Sequence, residues 1–372
     1  MSPPCRVLVL NERDPLHPAA GGAEVHISEI CSRLASQGFE FTLAACGFRG
    51  APAREVLHGL EIRRLGPLLA YYPRAAWMCA RDTRRGRFDL VVEHLNKLPF
   101  LSPVLSAVPV VAVCHHLFGF SAFLQVAWPI AAGVVLAEKL VPACYKKSAF
   151  VAVSESTRDD LVARGIPRER VRIVHNGIRP PKLWLEPPSR RGPRVAYLGR
   201  LEPYKRVDVM LAALKTLVPR FPELEVVIVG RGTDRPRLED AARRLGIAER
   251  TRFRGFVSDA ERDAILASTR VCVCPSVKEG WGITVIEANS SGVPVVATDA
   301  PGLRDAVRDG DTGFLVPEGD VAVFAERIGR VLADNALADR MSQAGLAWSQ
   351  RFDWDSAARA MAAVLESARV RA

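Results

Sequence analysis

Short apolar runs alternate with helix-period segments along almost the whole chain, and the alternation starts twice. The first series contains β-rich runs at Arg6–Leu10, Glu40–Ala45, Asp89–Glu93, Val108–Cys114, Ala149–Val153 and Arg170–Val174. Between the first two, Ile27, Ile30, Cys31 and Leu34 repeat at helical spacing and Gly38 supplies a stop. A Pro- and Arg-rich stretch, 180–193, interrupts the pattern and reads as a linker. The second series has strands at Arg194–Leu198, Glu225–Val229, Thr251–Arg254, Val271–Cys274, Val293–Ala297 and Phe314–Val316, all but Val293–Ala297 followed by a helical segment. Such alternation calls for parallel strands with crossover helices on both faces. Two α/β domains are expected, 1–179 and 194–354, with a final helix over 355–372 packing back on the first. Tandem domains of this class leave a cleft, and ligands are expected beyond the carboxyl ends of the strands.

The densest candidate site is Lys278-Glu279-Gly280-Trp281-Gly282-Ile283-Thr284-Val285-Ile286-Glu287. It joins the strand Val271–Cys274, closed by Pro275, to an apolar helix. Backbone N–H groups at such a helix start seat phosphate well. Glu287, inside the helix, could accept bonds from a ribose diol, while Glu279 on the loop would face what hangs from the phosphates. A glycosidase needs two carboxylates about 5–9.5 Å apart. Helical spacing would separate these two by roughly 12 Å, as a binding pair.

Gly199-Arg200-Leu201-Glu202-Pro203-Tyr204-Lys205 follows the strand Arg194–Leu198. There Arg200 and Lys205 could neutralise a diphosphate, one as a fork and one as a point charge. Gly255 and Phe256, at a later strand end, could offer backbone groups to a base edge. In the first domain the paired glycines Gly21 and Gly22 open a helix and permit close backbone approach. His115 and His116 end the strand Val108–Cys114. Gly230-Arg231-Gly232 lacks the rest of a dinucleotide fingerprint, which argues against a nicotinamide enzyme.

The eight cysteines form no C-x-x-C pair, and no signal peptide opens the chain, so a reduced, cytoplasmic compartment is expected. Residues 1–179 carry 22 Lys and Arg against 15 Asp and Glu, with a cluster at Arg81, Arg84, Arg85 and Arg87. Leu117–Ala137 holds no charged residue, yet its Gln125, Pro129 and Gly133 fit a buried or interfacial helix better than a membrane span. Together these suggest peripheral association with an anionic membrane, with Phe118, Phe120, Phe123 or Trp128 as apolar contacts. Nucleic acid is not expected as a partner, because basic residues lack interleaved aromatics.

Taken together, G-G-A-E (21–24), V-S-E-S-T (153–157), H-N-G-I (175–178), G-R-L-E-P-Y-K (199–205), E-G-W-G-I-T-V-I-E (279–287), S-G-V-P-V-V-A-T (291–298) and F-D-W-D (352–355) resemble the retaining glycosyltransferases of family 4. The resemblance spans nearly the whole chain. It implies the glycosyltransferase-B fold, two Rossmann-like domains facing across a cleft, and transfer of a hexose from a nucleotide sugar to a hydroxyl acceptor with retention. It implies Glu279 on the donor sugar, Glu287 on the ribose, and Arg200 with Lys205 at the leaving diphosphate. His115 would lie near the transferred sugar, with His116 beside it. Gly22, Gly255, Phe256, Gly280, Trp281, Gly282, Ile283 and Thr284 would line the donor site. Arg231, Thr233 and Asp234 depart from the family's G-x-G-P pattern. No metal and no cofactor are implied beyond the substrate, a UDP-sugar ahead of a GDP-sugar. The acceptor is expected to be a lipid-linked or soluble glycan, in cell-envelope, glycolipid or exopolysaccharide synthesis. A nucleotide-sugar epimerase on the same fold and a non-catalytic binder remain alternatives.

Overall fold

The computed structural model describes residues 3–95, 98–117, 119, 123, 127–183 and 185–370. The chain forms two compact units, Met1–Gly177 with Trp354–Ala372, and Ile178–Asp353.

The first unit runs β1 (Cys5–Leu10), α1 (Gly22–Ala35), β2 (Phe39–Ala45), β3 (Arg54–Leu57), β4 (Leu60–Arg64), α2 (Leu68–Arg84), β5 (Leu90–Leu95), α3 (Ser102–Leu105), β6 (Val110–Cys114), α4 (Trp128–Cys144), β7 (Ala149–Ala152), α5 (Glu155–Ala163) and β8 (Val171–Ile173). Its sheet has the order β3-β4-β2-β1-β5-β6-β7-β8. Every pairing is parallel except β3 with β4. Strands buried on both faces read as continuous apolar runs. Thus Val7 and Val9 of β1 pack toward α1, while Leu8 and Leu10 pack with Tyr71, Met78 and Cys79 of α2.

The β3–β4 hairpin was not expected from the sequence. Its strands are short, Arg- and Glu-rich, and only partly buried. The turn is made by His58 and Gly59, at φ 48° and 84°, a left-handed pair that suits a tight hairpin.

The second unit runs β9 (Arg194–Leu198), α6 (Val207–Leu217), β10 (Glu225–Val229), α7 (Arg235–Arg244), β11 (Thr251–Gly255), α8 (Asp259–Ala267), β12 (Val271–Cys274), α9 (Ile283–Ser290), β13 (Val295–Thr298), α10 (Leu303–Ala306), β14 (Gly313–Val316), α11 (Val321–Ala333) and α12 (Asn335–Ser349). Its parallel sheet has the order β11-β10-β9-β12-β13-β14. The strand order reverses between β9 and β12. Ligands of open α/β sheets bind outside the carboxyl ends at such a switch point.

The supposed linker 180–193 is not one free segment. Residues from Glu186 onward are tied into the second unit, where buried Arg191 bonds the carbonyls of Glu186, Thr269 and Ser291 and Arg270 bonds that of Pro188. The last helix, α13 (Trp354–Val370), belongs to the first unit. Trp354, Met361 and Leu365 enter the core beneath α1, and Asp355 accepts a 2.6 Å bond from Arg33 Nε.

Helix α4 covers the end of the uncharged stretch but buries one side only, through Ala131, Val134, Glu138 and Val141. Phe118 and Phe120 lie outside the described residues. Among the described residues no helix is long and apolar enough to cross a membrane.

Candidate functional site

The switch point of the second sheet collects the charged residues of interest. Arg200 and Lys205 sit on the loop after β9, and Glu279 and Glu287 follow β12, its neighbour in the sheet. Lys205 closes a single 3-10 turn, Pro203–Lys205, and is buried. Its ammonium donates to Glu279 Oε1 in a short ion pair. Burial alone would lower the Lys205 pKa, but the adjacent Glu279 carboxylate outweighs it and the net shift is upward. Arg200 is exposed, with Nη2 3.3 Å from the Tyr204 hydroxyl. The two loops are tied together by a bond from Val277 N–H to the Tyr204 carbonyl.

The loop that carries Glu279 is held by close backbone packing. Glu279 N–H donates to the Pro301 carbonyl. A Cβ on Gly302 would lie 2.4 Å from the Glu279 carbonyl oxygen, and Gly302 has φ 80°. Gly282, at φ 77°, caps α9 and presents Ile283 and Thr284 as its first residues. Helical structure begins only at Ile283, so the two glutamates are not spaced along one helix. Each belongs to a separate ion pair, Glu279 with Lys205 and Glu287 with Arg262.

Trp281 turns inward. Its side chain is buried against Phe352, with ring centroids 4.9 Å apart, so its role is to anchor the loop and only its backbone is left for a ligand. Gly280 precedes it as a half-buried loop residue. Gly255 ends β11 at φ 70°, and its carbonyl accepts the Gly230 N–H at 2.7 Å. Phe256 beside it is 73% exposed, with the Arg231 guanidinium 5.4 Å from its ring centre. That leaves Phe256 the open member of the pair.

The Gly230-Arg231-Gly232 turn has a packing explanation. A Cβ at Gly230 would lie 1.8 Å from the Gly199 carbonyl oxygen, and one at Gly232 would lie 2.0 Å from that of Leu201. Two loops approach here without side chains between them.

In the first unit, Gly22 begins α1 after Gly21, whose N–H donates to Glu24 Oε2 at 2.6 Å. Glu24 also accepts from Asn11 Nδ2, which fixes its carboxylate at this helix start. His115, half-buried after β6, lies with its Nε2 3.0 Å from His94 Nδ1 and its ring nearly parallel to that of His94. His26 on α1 approaches both rings edge-on, at 5.2 and 5.6 Å between centroids. His26 Nδ1 lies 2.7 Å from Asn176 Oδ1. Burial pushes the His26 imidazole down to about 4. Burial and the neighbouring rings hold His94 and His115 well below the usual histidine range. All three are therefore neutral at pH 7 and can only exchange hydrogen bonds there. His116 is half-buried at the same strand end.

His26, His94, Asn176 and Arg262 were not singled out by sequence reasoning. His26 lies four residues into α1 on its inward face and His94 is the penultimate residue of β5, a strand neighbouring β6, so a signal existed in the positions. Arg262 had none, because its partner lies 25 residues away. Among the described residues no group of three or more His, Cys, Asp or Glu side chains is arranged to hold a metal ion.

The sequence profile described as Glycosyltransferase Family 4 matches residues 20–181, and that described as Glycosyl transferases group 1 matches residues 186–348. The D-inositol 3-phosphate glycosyltransferase of Streptomyces bingchenggensis (strain BCW-1) is 32% identical over 414 residues, covering 98% of this chain and 90% of its own. Sucrose-phosphate synthase (tll1590) from Thermosynechococcus elongatus superposes with TM-score 0.83 at 22% identity, over 99% of this chain and 100% of its own. Anabaena Alr3699/HepE in complex with UDP-glucose gives 0.76 at 20% identity, over 97% and 99%.

Proposed function

The chain belongs to glycosyltransferase family 4 and has the glycosyltransferase-B fold, and from that premise we propose that it transfers a hexose from a nucleotide sugar to a hydroxyl of a phosphorylated inositol, with retention and without a metal. One observation carries the donor half. Two cations and Glu279 stand on loops after the adjacent strands β9 and β12, at the switch point, and Glu287 stands within α9, whose first amides lie beside them. Lys205 and Arg200 take the charge that develops on the leaving diphosphate, and the α9 N-terminus adds its dipole. Glu279, already on Lys205, accepts from sugar hydroxyls, and Glu287 accepts from the ribose. In the first unit, His115 is neutral and can offer a hydrogen bond, the part the resemblance gives it. The acceptor reading rests on the name of the Streptomyces relative, and UDP-sugars are preferred as donors with GDP-mannose second. Calorimetry with UDP-glucose and GDP-mannose should find one that binds, and turnover should require an inositol phosphate. Equal nucleotide-sugar consumption with and without acceptor would exclude transfer and leave hydrolysis.

Peripheral attachment to an anionic membrane, at a cytoplasmic face, is part of the same proposal. The residues Leu8, Val91 and Val110 beneath α2, and Ala112, Cys114 and Phe150 beneath α4, place the two helices on one side of the first sheet. On α2, Leu69 and Trp77 are exposed beside Arg74 and Arg84, with the Arg81 guanidinium 4.0 Å over the Trp77 ring. On α4, Trp128, Ile130, Leu136 and Leu140 are exposed. Basic residues near an anionic surface contribute about 1 kcal/mol each, screened by salt, and the aromatic contacts add a salt-resistant part. Flotation should recover the protein on anionic vesicles at low salt, and Trp77→Ala with Arg81→Ala should reduce it severalfold. No recovery on those vesicles would leave a soluble acceptor as the only reading.

A further inference from the structure

We propose that Arg262, on α8, is a positioning residue for Glu287: it fixes the orientation and the charge of the carboxylate that receives the ribose. The inference rests on the nucleotide-sugar reading of the site and adds a residue to it. Arg262 Nη1 lies 3.0 Å from Glu287 Oε1. The same guanidinium is held in place from its own helix. Its Nε and Nη2 lie 3.1 and 2.8 Å from Asp263 Oδ1, and Nη1 is 3.2 Å from Asp259 Oδ1. A cation clamped by two aspartates on one helix thus reaches across to α9 and aims one oxygen of Glu287.

The charge balance shows why the clamp matters. Burial raises the Glu287 pKa, Arg262 opposes the rise, and Asp259 and Asp263 add to it. From β12 behind it the buried Cys272 thiol also feels this carboxylate. Among the described residues, Arg262 is the only cation paired with Glu287. Without it, Glu287 faces two anionic neighbours and an apolar strand, and its pKa is pushed further up. A protonated carboxyl has lost part of its capacity to accept from a diol.

The sign of the effect follows. Removing the cation moves Glu287 protonation to higher pH, so donor affinity should fall at the lower end of the pH range and return as pH rises. A purely structural loss would be the same at every pH.

Calorimetry with UDP-glucose or GDP-mannose, whichever the wild type binds more tightly, provides the test, since neither sugar nucleotide titrates across this range. Wild-type affinity should change less than about threefold between about pH 6 and pH 8.5, whereas Arg262→Gln should bind at least about tenfold more weakly at the low end and recover at the high end. Arg262→Lys keeps a cation and should give the flat profile. Adding Glu287→Gln to Arg262→Gln should abolish the pH dependence. A pH-independent loss in Arg262→Gln, no loss at all, or a pH-dependent loss in Arg262→Lys would each overturn the assignment. If the wild type binds neither compound, the nucleotide-sugar reading itself falls.

Discussion

Lys205→Ala is expected to lower kcat about 10²–10³-fold at saturating donor, because it deletes a preorganised cation aimed at developing charge. The size follows from where the ammonium sits. It is buried, so solvent screens it little, and it is already oriented by Glu279 before any ligand arrives. On the proposed function a diphosphate would replace or share that carboxylate, and its negative charge would grow as the bond to the sugar breaks. Exposed Arg200, with only a 3.3 Å contact to the Tyr204 hydroxyl, must be drawn in by the ligand, and its alanine variant should lose less. Lys205→Arg preserves charge but not shape and should fall between wild type and alanine. Glu279→Gln gives the complementary result. It releases Lys205 and removes an anion beside the diphosphate, so the bare nucleoside diphosphate should bind more tightly while transfer slows. Steady-state turnover and calorimetry on the same preparations separate the two effects. A loss below tenfold for Lys205→Ala, with the melting temperature unchanged, would remove Lys205 from the leaving-group site.

Arg191→Met should destabilise the second unit by several kcal/mol, about 1–3 kcal/mol for each buried carbonyl left unpaired. Arg191 is 7% exposed, and its guanidinium bonds backbone carbonyls. Nη1 reaches Thr269 at 2.8 Å and Leu266 at 3.4 Å, Nη2 reaches Ser291 at 3.2 Å, and Nε reaches Glu186 at 2.8 Å. Leu266 ends near the close of α8, and Ser291 follows α9. One cation therefore meets the carbonyl ends of both helices that carry Arg262 and Glu287, where a positive charge is favoured. Burial pulls its pKa down to about 10, and it remains protonated at neutral pH. Methionine fills part of the volume but offers no donors, leaving buried carbonyls unpaired. Denaturant unfolding should show the transition of the second unit moving to lower concentration. A shift worth less than about 1 kcal/mol would mean that other donors or water serve those carbonyls.

The parallel strands were legible because strands buried on both faces become short apolar runs, and Val271–Cys274, α8 and α9 were located without side-chain contacts being known. The β3–β4 hairpin escaped because its buried positions, Leu60 and Ile62, are outnumbered by Arg and Glu. The loop glycines, the two cations and the two glutamates were legible as local motifs at strand ends. What each side chain touches was not. Trp281 was given as a donor-site residue by the resemblance, and the tertiary fold packs its ring onto Phe352. Arg191 looked like linker composition, since its partners are carbonyls up to 100 residues away and carry no sequence signature. His26 and His94 were not singled out, and only their convergence on His115 distinguishes them.

The central claim is transfer with retention from a nucleotide sugar, by this chain's own residues and without a metal. Proton NMR of the product formed from UDP-glucose or GDP-mannose and an inositol phosphate, with EDTA present throughout, tests it directly. The account predicts a glycoside whose anomeric configuration matches that of the donor, formed at an undiminished rate. An inverted anomer, free sugar in place of a glycoside, or activity restored only by added Mg²⁺ or Mn²⁺ would contradict it.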